Sequence, residues 1–253
     1  MRKLYRPLYL LETPIISTTI ESAEIIKYAS NSFLATKIAF INQVADLCEA
    51  VGGNVQDVAK AMGLDKRIGS KFLNAGPGFG GSCFPKDVKA FISTAKKFNI
   101  DLSIVDSVNY SNQKRPHEIV LKILQHFNND IKDKIFAILG LSFKPNTDDV
   151  RDSTSVIIAK LLFDKGAIIK AYDPKGMKNA KIVLPNIKYV NSIRDSYVEA
   201  DALIIATEWN EFRALNFKLL RKEMKAKIIF DLRNIYNKDE LIKLGFVYYG
   251  IGK

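Results

Sequence analysis

The sequence predicts an α/β protein in two parts, a helical first half followed by a parallel sheet covered by helices. Apolar residues repeat at helical spacing through most of residues 21–127, whereas later apolar runs of about five residues alternate with helical stretches. A polar segment at residues 128–134 separates the two patterns. A chain of 253 residues, 47% hydrophobic and 26% charged, has room for one or two domains with a substantial core. We therefore expect a helical domain at residues 1–130 and a sheet domain at 131–253.

Local signals predict the individual elements. In the first part, helical spacing and glycine stops predict helices at residues 21–51, 55–62, 86–98 and 104–127, the first ending at Gly52-Gly53 and the second at Gly63. In the second part, strands are predicted at IFAILG, AIIKAYD, IKYV, ALIIAT and KIIFDL, with a helix at 153–164 after the first of them. Short apolar strands separated by helices are typical of a parallel sheet of Rossmann type.

Composition and charge exclude several functional classes. The formal net charge of +11 favours anionic partners, either nucleic acid or a phosphate-bearing small molecule. Because the charge is scattered and no zinc-finger or RNP-type pattern accompanies it, we expect no nucleic-acid partner. No apolar run is long enough to cross a membrane, and residues 1–14 lack the apolar core and cleavage site of a secretion signal. These features predict a cytoplasmic protein with no membrane partner.

The two cysteines and two histidines have no metal-ligand spacing, so we expect no metal site. Cys48 lies in a helical pattern and is predicted to be a small buried residue. Cys83 follows a glycine-rich loop in which Gly76, Gly78 and Gly81 spell GxGxxG. This loop follows a helical stretch instead of a buried strand, so the sequence does not favour a dinucleotide fingerprint. It fits either a surface loop or a binding loop.

The residues around Cys83 favour nucleophilic chemistry. Pro85 and Lys86 follow at the expected start of a helix, and both a helix N-terminus and a nearby cation stabilise a thiolate. Asp87 lies one helical turn after Cys83, within reach of a group bound to the sulfur. A nucleophilic cysteine beside a carboxylate that handles water indicates acyl-enzyme chemistry.

Four stretches, GPGFGGSCFPKDVKA, SAEIIKYASNSFLATKIAFINQVADLCEA, LDKRIGSKFLNAG and LGLSFKPNTDDVRDS followed by YDP, resemble the UDP-glucose/GDP-mannose dehydrogenase family. The resemblance extends from about Tyr5 to the end of the chain. It implies that the C6 primary alcohol of UDP-glucose is oxidised to a carboxylate by two hydride transfers to NAD. It also implies a helical central domain that forms a dimer, followed by a Rossmann-like UDP-binding domain.

The resemblance assigns the catalytic roles. Cys83 matches the nucleophile that forms a thiohemiacetal and then a thioester, and Asp87 matches the residue that assists water and proton transfer. Lys27 and Asn31 match the pair that stabilises the oxyanion, and their i, i+4 spacing places both on one helix face.

The resemblance also assigns the binding groups. The residues that match substrate-binding positions are Arg67, Phe72, Phe79, Gly80, Gly81, Phe143, Lys144 and Arg233. Of these, Arg67 would enter the neighbouring subunit's site. Arg151 matches a residue that reaches the NAD phosphates.

No βαβ unit with a glycine fingerprint precedes Ser22, so the resemblance covers the central and C-terminal portions of the family only. We therefore expect NAD binding to be largely absent from this chain, with a separate NAD-binding chain as one possible source, and a homodimer through the helix at 22–51. Two alternatives remain open. One is a UDP-sugar-binding dimer without redox activity, and the other is a portion of a GDP-mannose 6-dehydrogenase.

Overall fold

A computed structural model describes residues 15–253. The segment in which we looked for a secretion signal, and in which the family resemblance begins, lies outside the described residues.

The described chain runs through helices first and then through alternating strands and helices, as the sequence predicts. The helices are α1 (Ile20–Val51), α2 (Val55–Leu64), α3 (Phe84–Lys97), α4 (Ser103–His126), α5 (Thr154–Asp164), α6 (Met177–Val183), α7 (Ile193–Tyr197), α8 (Phe217–Glu223) and α9 (Lys238–Lys243). A 3₁₀ helix spans Asn210–Ala214. The strands are β1 (Ile135–Leu139), β2 (Ile168–Tyr172), β3 (Lys188–Tyr189), β4 (Ala202–Ile205), β5 (Ile228–Asp231) and β6 (Val247–Gly250).

The first two helices start at polar caps. The Thr19 side chain accepts a hydrogen bond from the Ser22 N–H at the start of α1, and Asn54 caps α2 in the same way. Gly52 ends α1 in the left-handed conformation, as predicted. The prediction that Gly63 ends α2 is wrong, because the helix continues through it to Leu64. Gly63 instead allows close packing, since a Cβ there would lie 2.9 Å from the Cα of Ser70.

The six strands form one parallel sheet in the order β3-β2-β1-β4-β5-β6. This is the strand order of the Rossmann fold. The chain adds β2 and β3 on one side of β1 and then crosses over to add β4, β5 and β6 on the other side, so the order in which strands are added reverses between β1 and β4. Five of the strands were predicted, and β6 was not. Ligands of such sheets bind beyond the carboxyl ends of the strands at this reversal point.

Three apolar clusters hold the elements together. The largest joins the C-terminal half of α1 to α4 and to one sheet face, and includes Ile41, Ile123 and Phe136. A second covers the opposite sheet face. A third lies among α1, α3 and α4 and buries Phe79 from the glycine-rich loop and Val88 from α3. Residue 130 lies between α4 and β1, and a domain boundary there stays a prediction.

The residues after β6 return to the helical part of the chain. The Gly252 carbonyl accepts a hydrogen bond from the Val55 N–H at the start of α2, at 2.9 Å. The Gly252 N–H donates to the Glu49 carboxylate near the end of α1, at 2.7 Å. These two bonds tie the far end of the sheet to the junction between α1 and α2. None of the helices described is both long and apolar enough to span a bilayer.

Candidate active site

Cys83, the cysteine predicted to be nucleophilic, lies at the start of a helix, as the sequence predicts. Cys83 is the N-cap residue of α3, and Pro85 follows in the first turn. The Cys83 thiol is free and exposed, whereas the Cys48 thiol is free and buried in the core. The two cysteines thus occupy opposite environments, and Cys83 alone of the pair is open to a ligand.

Asp87 joins α3 to α1 beneath Cys83. Its N–H donates to the Cys83 carbonyl, and its side chain is only 1% exposed. Lys27 Nζ lies 3.1 Å from Asp87 Oδ1 and 3.0 Å from Oδ2, and Asn31 Nδ2 donates to Oδ2 at 2.7 Å. The structure therefore brings together the four residues predicted to be catalytic, because one turn of α1 faces the first turn of α3.

The Asp87 carboxylate and the Lys27 ammonium stabilise each other in their charged forms. Burial would raise the pKa of Asp87, but hydrogen bonds from Lys27 and Asn31 outweigh burial and hold this pKa below its usual value. The hydrogen bond to Asp87 raises the pKa of Lys27, with a smaller contribution from Cys83. At neutral pH the Lys27 ammonium therefore stays charged close to the thiol, with its charge balanced by the Asp87 carboxylate.

A cleft of about 420 Å³ opens next to this cluster, between the glycine-rich loop and the sheet. Residues predicted to bind substrate make up much of its wall, namely Phe72, Phe79, Gly80, Phe143, Lys144 and Arg233. Gly81 packs just behind, with φ of +85°, and a Cβ there would lie 2.8 Å from the Phe143 ring. A glycine is therefore required where the loop meets the Phe143 side chain.

The strand ends supply the polar side of the cleft. Phe143 and Lys144 follow β1, Glu208 follows β4, and Arg233 follows β5. The Nε of Arg233 donates to the Ala206 carbonyl at 2.8 Å and lies 3.1 Å from the Glu208 carboxylate. The guanidinium is thus oriented at the reversal point of the sheet, where it can meet an anionic ligand.

Phe72 occupies the cleft wall with a strained backbone. Its φ is +66°, which is rare for a bulky residue, and its ring lies 6.0 Å from that of Phe84. Strain of this kind persists only where surrounding contacts impose it, and it clusters at ligand sites.

The two remaining arginines do not line the cleft. Arg67 is 89% exposed and pairs with Asp65 in the turn after α2. Arg151 is 71% exposed and pairs with Asp149, and the hydrogen bond to Asp149 raises its pKa, with a smaller contribution from Cys83. Contact of Arg151 with the NAD phosphates stays a prediction. Entry of Arg67 into a neighbouring subunit's site stays a prediction.

Several residues that shape the cleft were not predicted from the sequence. Asn42, Asn112 and Arg115 hydrogen-bond to the backbone of the glycine-rich loop. Asp173, in the YDP motif, accepts hydrogen bonds from the residues that precede Phe143. Asn42 carried a recognisable signal, because it is a lone amide on the apolar face of a long helix.

The fold and the site together define a class of protein. A Rossmann-type sheet presents an arginine, a lysine and aromatic rings around a cleft at its reversal point. An exposed cysteine at a helix start, with a lysine, an amide and a buried carboxylate, borders that cleft. Such an arrangement is suited to binding a nucleotide and carrying out thiol chemistry on the attached group.

Comparisons with known proteins agree with this class. Residues 21–114 match the model of the UDP-glucose/GDP-mannose dehydrogenase family, central domain, and residues 137–238 match that family's UDP binding domain. The chain belongs to the UDP-glucose/GDP-mannose dehydrogenase family and comprises its central and UDP-binding domains.

Individual relatives cover the whole chain. UDP-glucose 6-dehydrogenase of Rhizobium meliloti is 50% identical over all of this chain, which spans 58% of that relative. UDP-glucose 6-dehydrogenase YwqF of Bacillus subtilis is 43% identical over the same extent, and the chain spans 57% of it. The structure of a UDP-glucose dehydrogenase from Pyrobaculum islandicum matches 99% of this chain and 55% of its own, with a TM-score of 0.88 and 34% identity. The chain thus spans little more than half the length of these relatives.

Proposed function

We propose that this chain carries the thiol centre and the nucleotide-sugar site of a UDP-glucose 6-dehydrogenase. The reaction is the oxidation of UDP-glucose to UDP-glucuronate. The observation that carries the proposal is the Lys27, Asn31 and Asp87 cluster beneath the exposed Cys83, beside a cationic cleft. The names of relatives at 43–50% identity support UDP-glucose as the substrate. A GDP-mannose dehydrogenase structure matches less well, with a TM-score of 0.55.

In the proposed mechanism, Cys83 captures the aldehyde formed by the first oxidation at C6. The thiolate sulfur bonds to the carbonyl carbon, and the carbonyl electron pair moves to the oxygen as an oxyanion. Lys27 and Asn31 retain N–H groups beyond those engaged by Asp87, and these groups stabilise the oxyanion, which takes a proton to complete the thiohemiacetal.

The second oxidation removes a hydride from C6 and a proton from the hydroxyl, which leaves a thioester on Cys83. NAD, when bound, accepts the hydride in each of the two oxidations. Water then attacks the thioester carbonyl, the carbon–sulfur bond breaks, and the Cys83 thiolate is restored. Asp87 holds the attacking water and receives its proton. We propose that NAD is held outside the described residues, by a separate NAD-binding chain or segment.

We also propose that the chain forms a homodimer through α1. Four large apolar side chains of this helix, Ile26, Phe33, Phe40 and Leu47, are 49%, 66%, 49% and 61% exposed. They recur every seven residues, so they form one continuous stripe along the helix. A stripe of this size on an isolated chain marks a protein interface.

The substrate proposal is tested by calorimetric titration of the whole chain with UDP-glucose and, separately, with GDP-mannose. We expect saturable binding of UDP-glucose, weaker binding of GDP-mannose, and loss of binding in Arg233→Ala. Arg213→Ala, which changes an arginine outside the cleft, is the matched control. Absence of UDP-glucose binding by the wild-type chain would refute the proposal. Tighter binding of GDP-mannose would favour the GDP-mannose alternative.

The isolated chain is expected to produce no NADH from UDP-glucose and NAD, because orientation of the nicotinamide against C6 supplies much of the rate. Absorbance at the NADH band measures this directly. Robust NADH production by the purified chain would contradict the expectation and would favour NAD binding at Arg151. The binding-only alternative predicts that addition of an NAD-binding partner does not restore oxidation either.

A further inference from the structure

The glycine-rich loop, residues 76–81, is held in place by side chains from two helices. At its start, the Gly76 N–H donates to Asn42 Oδ1 at 2.8 Å, and the Gly76 carbonyl accepts from Arg115 Nε at 3.2 Å. Asn42 and Arg115 are each at least 96% buried. The first residue of the loop is therefore fixed through both of its backbone polar groups.

Asn112 of α4 fixes the middle of the loop in the same manner. Its Oδ1 accepts from the Phe79 N–H at 2.8 Å, and its Nδ2 donates to the Phe79 carbonyl at 2.9 Å. Only an amide side chain offers an acceptor and a donor side by side, so aspartate or leucine cannot make both bonds. Asparagine is a poor residue for a helix interior, and such exceptions occur where function requires them.

The loop closes tightly over Asn112. Gly78 has φ of +111°, and a Cβ there would lie 2.7 Å from Asn112 Oδ1. At the far end, the Gly81 N–H donates to the Arg151 carbonyl at 2.9 Å. The hydrogen bonds of the described residues thus engage the N–H groups of Gly76, Phe79 and Gly81, and leave those of Gly78 and Gly80 without a protein acceptor.

Gly78 and Gly80 both line the cleft assigned to the nucleotide sugar. We propose that Asn112 is a positioning residue for this site, since its two bonds to Phe79 hold the Gly78 and Gly80 backbone ready for the oxygen atoms of the ligand. The inference rests on the proposed function. It adds that a side chain outside the catalytic cluster sets the affinity of the site.

The test compares three variants of the whole chain with the wild type. Asn112→Asp keeps the volume and one acceptor but loses the donor. Gln113→Asp adds the same charge at the exposed neighbouring position on α4. Val120→Ala removes buried volume two turns later on the same helix, outside the apolar cluster that contains Phe79, and so lowers stability without touching the loop hydrogen bonds.

Calorimetric affinity for UDP-glucose is the first measurement. We expect Asn112→Asp to weaken binding by about tenfold to a hundredfold, the scale of one or two lost hydrogen bonds. Gln113→Asp and Val120→Ala are expected to bind like the wild type. Unchanged affinity in Asn112→Asp would overturn the proposal. An equal loss in Val120→Ala would also overturn it, because it would assign the effect to general stability.

Hydrogen exchange of the loop amides, measured without ligand, is the second measurement. Faster exchange of the Phe79 amide in Asn112→Asp, but not in the two controls, supports positioning. Unchanged exchange refutes it. Hydrogen exchange needs no ligand, so it tests the role of Asn112 even if the wild-type chain fails to bind UDP-glucose. Such a failure would refute the proposed function but not the positioning of the loop by Asn112.

Discussion

Replacing Asp173 by asparagine is expected to lower the free energy of unfolding by about 3 kcal/mol. Asp173 is fully buried after β2, and its carboxylate gathers hydrogen bonds from several segments. Oδ1 accepts from the N–H groups of Lys175 and Gly176, at 2.9 and 2.6 Å. Oδ2 accepts from the Leu141 N–H, from the N–H and hydroxyl of Ser142, and from the Trp209 indole. An asparagine has one acceptor oxygen, so it cannot serve both sets of donors.

The least damaging orientation of the new amide turns its NH₂ group toward the two donors that Oδ1 served. The Gly176 N–H is buried, and leaving it without an acceptor costs about 1–3 kcal/mol. The Lys175 N–H can reach water, so its loss costs less, roughly 1 kcal/mol. The total is therefore about 3 kcal/mol, which corresponds to a melting temperature roughly 6–12 °C lower for a chain of this size.

Urea denaturation followed by circular dichroism measures the loss. Asp101→Asn is the control, because Asp101 is exposed and has no side-chain hydrogen bond among the described residues. Asp173 also supports the Leu141 to Lys144 segment, so the variant is expected to bind UDP-glucose more weakly. A free energy of unfolding within 1 kcal/mol of the wild type would refute the hydrogen-bond reasoning.

Three further predictions concern the catalytic cluster and the apolar stripe. Cys83→Ser is expected to retain UDP-glucose binding in calorimetry but to form no UDP-glucuronate once an NAD-binding partner is supplied, whereas Cys48→Ala is expected to cost only about 1 kcal/mol of stability in urea denaturation. The double substitution Phe33→Glu, Phe40→Glu is expected to convert a dimer to a monomer in sedimentation at micromolar concentration. A wild-type monomer there would contradict the dimer. The pKa of Asp87 is lowered in the folded state, so its contribution is complete above pH 3.8 and is lost as the pH falls through the folded value. Stability measured from pH 6 to pH 3 should therefore fall less steeply in Asp87→Asn, and parallel curves would contradict this.

Much of the fold could be predicted because the two halves carry different periodicities. Continuous helical spacing identified α1 to α4, and apolar runs identified β1 to β5. The sequence did not reveal β6, because Val247–Gly250 is a four-residue strand at the sheet edge in which only Tyr248 is buried. Its pairing with β5 is a long-range contact, and such contacts leave no local pattern.

The four residues predicted to be catalytic were assigned through the family resemblance, and their short spacings supported that assignment. Asp87 follows Cys83 by one turn, and Lys27 precedes Asn31 by one turn, so local geometry already placed each pair. The residues that support the cleft could not be predicted in this way. Asn112 acts on Phe79, and Asp173 acts on Ser142, each across a separation of more than 30 residues. Only the folded chain shows what their polar atoms touch.

The contact of Gly252 with Glu49 has a consequence for the order of events during synthesis. The two residues lie 203 positions apart along the chain. A ribosome that adds about 5–20 residues per second needs roughly 10–40 s to cover that distance. During this interval α1 and α2 are already made, but Glu49 Oε1 and the Val55 amide lack the Gly252 groups that they bond in the folded chain. The joint between these two helices is therefore completed only after translation has passed the last strand, so a nascent chain stalled before residue 252 lacks both hydrogen bonds that tie the α1–α2 junction to the end of the sheet.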